Sequence, residues 1–168
     1  MTQTITTLST TTHPSPVGTL TLVASNEGLR AILWPGDKPG RVRFGEDLRE
    51  DPDQALLRQT RAQLDGYFAG ERIQFDLSLD PAGTAFQMDV WEALKRIPFG
   101  ATMSYGELAA EIGKPGSARA VGAAVGRNPI SIVVPCHRVL GKDGKLTGFA
   151  GGLSAKTCLL NLECAVAI

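Results

Sequence analysis

The sequence predicts an α+β fold in two domains, residues 1–80 and 81–168. Runs rich in β-branched residues fill the first third of the chain, and such runs are typical of strands. After residue 83 the apolar residues recur at helical spacing. Between the two patterns, Asp80-Pro81-Ala82-Gly83 has the composition of a linker. A chain of 168 residues can bury a core in one domain or in two small ones, so its length permits this division.

The N-terminal part is predicted to be an α/β domain with a small antiparallel sheet. Strands are expected over residues 4–11, 19–24 and 29–34, because these runs are rich in β-branched and aliphatic residues. Residues 37–53 are charged and contain two glycines, which predicts a surface loop. Helical spacing of apolar residues predicts a helix over 55–68, followed by a short strand over 73–79.

The C-terminal part is predicted to be a winged helix-turn-helix-like domain. Thr84 can cap a first helix, and Ser104-Tyr105-Gly106-Glu107 fits a capping box that opens a second. After a tight turn, Ser117 can cap a third helix over residues 118–126. Two helices joined by a short glycine-containing turn are the outline of a helix-turn-helix. A loop or hairpin over 139–146, serving as a wing, and a closing helix over 153–165 complete the prediction.

Charge and cysteine content narrow the classes of function. The chain has seventeen basic and seventeen acidic residues, but residues 1–100 carry a net charge of −3 and residues 101–168 a net charge of +3. A nucleic-acid face is therefore expected in the second half. The three cysteines include no CxxC pair, which predicts neither a disulfide framework nor a cysteine zinc site and fits a reducing cytoplasm. No signal peptide or membrane-spanning run is apparent, so no membrane association is expected.

The segment over residues 132–139 places a thiol beside an imidazole, Cys136 and His137, at the end of a β-branched run. The run predicts a buried strand. Because Pro135 has no N–H to donate, the chain is expected to leave the sheet there and present Cys136 at its rim. An isolated cysteine is more often a small buried apolar residue. Here Asn128-Pro129-Ile130, followed by Pro-Cys-His-Arg, resembles the active-site signature of the methylated-DNA-protein-cysteine methyltransferases, which remove alkyl groups from 6-O-alkylguanine.

The resemblance covers about half of the chain, and the N-terminal part is matched only loosely. It runs from about residue 83 to residue 163 through a series of short motifs. These are Phe86-Gln87, Val90-Trp91, Ser104-Tyr105-Gly106, Ala118-Arg119-Ala120-Val121-Gly122, the Pro135 to Val139 segment and Gly151-Gly152.

The predicted helix over 118–126 consists mainly of alanine and glycine. Small residues are found where a helix packs tightly on a neighbour, but they also suit a helix brought to a minor groove about 6 Å wide. The resemblance favours DNA, because the matching helix of the family enters the minor groove. It implies that a target base is flipped out of the duplex, that Arg119 fills the vacated place and that Tyr105 helps to rotate the base. The DNA-binding residues implied are Arg119, Tyr105, Ser117, Ala118, Ala120 and Gly122.

The resemblance also implies the chemistry. Cys136 would attack the alkyl carbon in a single turnover, since the thioether product offers water no leaving group. Neighbouring residues of an extended chain point to opposite sides, so His137 is not expected to contact Cys136 directly. A water would bridge the two, Glu163 would orient His137, and Tyr105 would protonate the departing guanine. Transfer from 4-O-alkylthymine is expected as well.

The substrate pocket implied by the resemblance relies on main-chain groups. The carbonyl groups of Cys136 and Val139 would accept from the 2-amino group of guanine, and the Ala150 N–H would donate to its 6-oxygen. Phe149 and Ala150 depart from the Tyr and Ser that the family often has, which removes two hydroxyl groups. The complete pocket set is Asn128, Pro135, Val139, Phe149 and Ala150.

Further expectations concern cofactors, partners and alternatives. No cofactor and no metal are expected, since the Cys and His ligands of the zinc-binding members are absent. The expected partner is double-stranded DNA carrying alkylated guanine, with no obligate protein partner, and cooperative assembly on DNA stays open. A helix-turn-helix regulator would need base-reading side chains that residues 118–126 lack. A non-enzymatic binder of the lesion would lack the cysteine, and a Cys-His hydrolase would not have its two groups adjacent.

Overall fold

The computed structural model describes residues 7–167, with side chains described as far as residue 164. Residues 4–6 of the first predicted strand lie outside this range. The chain divides into two compact units, Met1–Ala82 and Gly83–Ile168. The predicted α+β class is confirmed, because a small sheet with one helix forms the first unit and four helices dominate the second. Within the described range, no helix combines the length and apolarity needed to cross a membrane.

The first unit contains a four-stranded sheet. Its strands are β1 (Leu8–His13), β2 (Leu20–Ala24), β3 (Leu29–Leu33) and β4 (Leu48–Glu50), in the order β3-β2-β1-β4. The first three form the predicted antiparallel meander. β4 runs parallel to β1 inside the segment predicted as a loop, so that part of the prediction is wrong. All three β4 residues are exposed, so this segment has no alternating apolar pattern that would predict a strand. The strand is defined by its backbone pairing with β1.

The helix of the first unit, α1 (Ala55–Phe68), has the predicted bounds. Leu57, Leu64 and Tyr67 on its inner face are buried. The strand expected over residues 73–79 does not form beyond an isolated bridge between Leu29 and Leu79. The Gln63 side chain instead donates to the Asp76 carbonyl and accepts from its N–H, at 2.9 and 2.8 Å. A side chain thereby takes the backbone groups that a neighbouring strand would have used.

The second unit is built on the helices α2 (Ala85–Lys95), α3 (Tyr105–Glu111), α4 (Ala118–Gly126) and α5 (Leu153–Ala167). Thr84 caps α2 in a complete capping box with Gln87, and Ser104 caps α3 by accepting from the Glu107 N–H at 3.1 Å. The prediction that Ser117 caps α4 is wrong, because its side chain makes no capping hydrogen bond. Its hydroxyl donates to the Lys114 carbonyl at 2.5 Å and is used in the turn itself.

The expected wing begins as a strand. The short strands β5 (Met103–Ser104) and β6 (Val139–Leu140) pair in parallel, and the chain between them contains the helix-turn-helix. Past β6, the Gly141 N–H donates to the Lys145 carbonyl at 2.8 Å and closes a tight loop. The β5–β6 pair therefore connects the start of α3 to the residues that follow Cys136.

Candidate active site

Two tight turns precede Cys136, in place of the predicted strand. Ile132 has a φ of +74°, which is rare for a β-branched residue, and the Val133 N–H donates to the Ser131 carbonyl across it at 2.9 Å. At Pro135, with φ −82° and ψ 66°, the Cys136 N–H likewise donates to the Val134 carbonyl at 2.8 Å. Cys136–Arg138 then form one turn of 3-10 helix. The expectation of an extended Cys136-His137 pair is therefore wrong as well.

Asn128 explains why this segment turns. Its side chain is buried and donates to the Val134 carbonyl at 2.9 Å, while its oxygen accepts from the Ile130 N–H at 3.1 Å. These bonds satisfy backbone groups that a strand would offer to a neighbour. The sequence marks this residue, because Asn128-Pro129 precedes the β-branched run, but it does not show which carbonyl the amide holds.

Three side chains form a buried polar cluster next to Cys136. His137 Nε2 lies 2.6 Å from one oxygen of Glu163. Arg138 donates to both oxygens of the same carboxylate, at 2.7 and 3.1 Å, and to the Ile97 carbonyl at 2.6 Å. Both His137 and Glu163 are almost completely buried, so the site holds the charge of Glu163 only with the compensation that Arg138 provides.

This cluster determines which nitrogen of His137 is basic. A carboxylate that accepts two N–H groups from Arg138 is held ionised, so it accepts the Nε2–H of a neutral imidazole. His137 Nδ1 then carries the lone pair, and this buried atom has no hydrogen-bond partner among the described residues. Burial lowers the pKa of His137, an effect that Glu163 partly offsets. The geometry therefore provides a neutral base whose free nitrogen is Nδ1.

Lys156 is a site residue that the sequence reasoning missed. It is 1 % exposed, and its Nζ donates to the Val139 carbonyl at 2.7 Å and lies 5.8 Å from the centre of the Phe149 ring. Burial lowers the pKa of Lys156, and electrostatic attraction to Cys136 acts in the opposite direction. The sequence contains a signal for Lys156, because it precedes Glu163 by seven residues, or two turns, on α5. That spacing places the two side chains on the same face of the helix.

Tyr105 lies close to both α4 and the segment after β6. It is the first residue of α3, and its hydroxyl lies 3.1 Å from the Thr147 hydroxyl. A Cβ atom added to Gly122 of α4 would lie 3.6 Å from the Tyr105 ring, an ordinary van der Waals distance, so the ring lies beside α4 at this position. α3, α4 and the segment after β6 thus meet at this side chain.

The small-residue helix has two different faces. Val121, Ala124 and Val125 are buried, and the Trp91 indole donates to the Ala124 carbonyl at 2.9 Å, which fixes α4 against α2. Arg119 and Ala120 are exposed. The packing interpretation therefore applies to the inner face, and the outer face, which the DNA-binding interpretation requires, presents a long cation surrounded by small residues.

The remaining predicted residues differ in burial. Pro135 and Val139 are buried, Phe149 and Ala150 are half-buried, and so are Ser117, just before α4, and Ala118 and Gly122, on α4. The Val139 carbonyl already accepts from Lys156, but a carbonyl has a second lone pair for a ligand. Over the described residues, no group of three His, Cys, Asp or Glu side chains is arranged to hold a metal ion.

Comparison with known proteins gives matches over both units. The DNA-binding domain model of 6-O-methylguanine DNA methyltransferase matches residues 85–165, and the ribonuclease-like domain model of the same proteins matches residues 8–81. A methylated-DNA-protein-cysteine methyltransferase of Methanosarcina acetivorans is 48 % identical over 149 residues, covering 89 % of this chain and 94 % of the relative. The one from Mycobacterium tuberculosis is 49 % identical over 154 residues, with 90 % of each chain covered.

Solved structures agree with these matches. The crystal structure of Mycobacterium tuberculosis OGT in complex with DNA has a TM-score of 0.83 at 44 % identity, covering 95 % of this chain and 94 % of the other. The structure of the O6-methylguanine methyltransferase of the same organism has a TM-score of 0.84 at 45 % identity, covering 96 % and 95 %. The similarity therefore extends over nearly the whole length of each chain.

Proposed function

The chain belongs to the methylated-DNA-protein-cysteine methyltransferase family, as its motifs predicted, and we propose that it repairs DNA by moving an alkyl group from 6-O-alkylguanine onto Cys136. Like its relatives it is a transferase that acts on DNA. The observation that carries the proposal is the buried cluster at Cys136. There a neutral imidazole, with Nδ1 unpartnered among the described residues, is held by an ionised carboxylate beside a thiol.

Thiol activation is the first step. The thiolate is the reactive form of cysteine. Cys136 passes its proton through a bridging water to His137 Nδ1, and Glu163 stabilises the imidazolium that forms. The buried ammonium of Lys156 attracts the resulting negative charge on sulfur. In this scheme His137 and Glu163 create the thiolate and Lys156 stabilises it.

Transfer is an in-line displacement at the alkyl carbon. A bond forms from the Cys136 sulfur to that carbon while the carbon–oxygen bond breaks, and its electron pair moves into the guanine ring. Tyr105 donates its hydroxyl proton to the ring as the charge develops. The product is a thioether, which provides no leaving group for water, so each molecule acts once. We extend the same scheme to 4-O-alkylthymine.

DNA recognition is assigned to the outer face of α4. Small residues let the helix approach the minor groove, and Arg119 occupies the place of the base that leaves the stack. Tyr105 at the start of α3 aids the rotation of that base. Ser117, Ala118, Ala120 and Gly122 provide the close contact with the backbone. The groove contacts are expected to be largely independent of sequence, because the face lacks base-reading amides.

The remaining parts of the proposal are the guanine pocket, the roles of the two domains and the cellular location. The flipped guanine is read by the carbonyl groups of Cys136 and Val139 and by the Ala150 N–H, with Asn128 and Pro135 fixing the turn behind the sulfur. Residues 81–168 hold both DNA binding and catalysis, and residues 1–80 form a separate domain. We place the protein in the reducing cytoplasm, where a reactive thiolate is preserved.

Replacing the nucleophile tests the proposal. Cys136→Ser should abolish methyl transfer from a duplex containing 6-O-methylguanine and keep affinity for that duplex, because serine preserves the shape of the site. Cys158→Ser, on α5, is the matched control and should transfer normally. Loss of both transfer and binding in Cys136→Ser would show that Cys136 is structural. Normal transfer by Cys136→Ser would refute the proposal.

A further inference from the structure

The Thr147 hydroxyl lies next to the Tyr105 hydroxyl. The two oxygen atoms are 3.1 Å apart, a distance at which either can donate to the other. Both side chains are half-buried, so the bond is partly shielded from water. Thr147 is also the only hydroxyl-bearing residue between Gly141 and Gly152, since positions 149 and 150 are Phe and Ala.

Thr147 is held in place by the tight loop before it. The Gly141 N–H donates to the Lys145 carbonyl at 2.8 Å. A Cβ atom added to Gly141 would lie 2.7 Å from the Thr147 methyl group and 3.2 Å from the Lys145 carbonyl oxygen. A side chain at 141 would therefore displace Thr147 or open the loop. The loop fixes the Thr147 methyl group and leaves its hydroxyl directed to Tyr105.

We propose that Thr147 is a positioning residue that donates a hydrogen bond to the Tyr105 oxygen while Tyr105 protonates the departing guanine. The inference rests on the proposed function, because it requires Tyr105 to act as the acid. When the Tyr105 O–H turns to the base, its oxygen keeps lone pairs that can accept the Thr147 O–H.

The proton and the electron pair can be followed through the step. The carbon–oxygen bond of the alkylated base breaks towards guanine, and the ring takes the proton of Tyr105. Negative charge develops on the Tyr105 oxygen and is stabilised by the Thr147 O–H, which stays bonded to its own oxygen. Tyr105 later regains a proton from solvent. Hydrogen bonds to charged groups are stronger than those between neutral groups, so Thr147 contributes more in the transition state than before it.

The test compares single-turnover transfer by Thr147→Val and Thr147→Ser. Valine keeps the shape without the hydroxyl, and should slow the first-order transfer step about tenfold while leaving duplex affinity unchanged. Serine retains the hydroxyl and should restore most of the rate. Thr157→Val, an exposed threonine on α5, is the matched control and should transfer at the normal rate.

A double-mutant cycle with Tyr105→Phe separates this inference from the proposed function. If Thr147 acts through Tyr105, Thr147→Val causes little additional slowing once the phenol is removed. Equal slowing in both backgrounds, a normal rate for Thr147→Val, or a serine variant as slow as valine would each overturn the inference and leave the acid role of Tyr105 intact. If Tyr105→Phe itself transfers normally, the acid role fails, and this inference fails with it.

Discussion

Glu163 shows how single residues determine the chemistry of this site. It accepts from His137 and from two nitrogen atoms of Arg138, all of them buried. The sequence resemblance predicted the pairing with His137, but not that Arg138 would supply the compensating charge. Arg138 is adjacent to the motif, and nothing in its local pattern shows that it turns inward. Lys156 was missed for a similar reason, because a lysine in an apolar helix is usually on a solvated face.

The lowered pKa of His137 gives the stability of the protein a defined pH dependence. The unfolded chain takes up a proton on this imidazole near pH 6.5, whereas the folded protein keeps it neutral to lower pH, mainly because it is buried. The unfolded state therefore binds more protons below the ordinary pKa, and stability falls as the pH decreases. Urea unfolding should show a falling free energy of unfolding between about pH 7.5 and pH 5.5. His137→Asn should show a flatter dependence, and an unchanged slope would contradict the assignment.

At the level of elements, capping residues made the helices the most predictable part of the fold. α1 has its predicted bounds, and Thr84 and Ser104 cap α2 and α3 as expected. Two of the failures occur where a side chain takes the backbone groups that a neighbouring strand would have used. Gln63 does so for Asp76, and Asn128 does so in the segment before Cys136. Local composition cannot reveal which side chain will take a backbone group.

The turn at Ile132 should reveal its backbone strain in a simple comparison. Glycine adopts a positive φ readily, whereas alanine there costs about 1–2 kcal/mol. Ile132→Gly should therefore be more stable than Ile132→Ala, the reverse of the usual order. Ile130, which is also buried and has no positive φ, is the control, and there the alanine variant should be the more stable. Urea unfolding measures all four variants. The same order at both positions would contradict the strained turn.

The function assigned to α4 predicts a difference between substrates. Arg119→Ala should slow transfer from duplex DNA far more than transfer from the free modified base, because Arg119 acts on base extrusion and not on the displacement. Arg127→Ala, which removes another exposed positive charge just after α4, is the matched control. Equal slowing on the two substrates, measured by single-turnover kinetics, would contradict this role.

At the scale of the whole molecule, the distribution of charge along the chain bears on DNA binding. The net charge of +3 on residues 101–168 predicts that duplex binding weakens as the salt concentration is raised. Composition placed the basic part of the chain in the second half, where the family's DNA-binding domain matches. The net charge of the whole chain is zero, so only the distribution of charge along the sequence indicates the basic second half.

Methylation should destabilise the protein. Cys136 is buried and Asn128 holds the turn before it, so a methyl group on the sulfur is expected to overfill the site once guanine leaves. Overpacking costs about 1–3 kcal/mol, which lowers the Tm of a domain of this size by several degrees. The measurement is thermal unfolding of methylated and unreacted protein after removal of DNA. An unchanged or higher Tm would show that the site has room for the methyl group.

Intact mass spectrometry tests the central claim most directly. Protein mixed with an excess of 6-O-methylguanine duplex should gain the mass of one methyl group and then stop, with peptide masses placing the group on Cys136 and leaving Cys158 and Cys164 unmodified. Each protein molecule should convert one modified base. Methyl groups on another residue, or many bases converted by each protein molecule, would contradict the account.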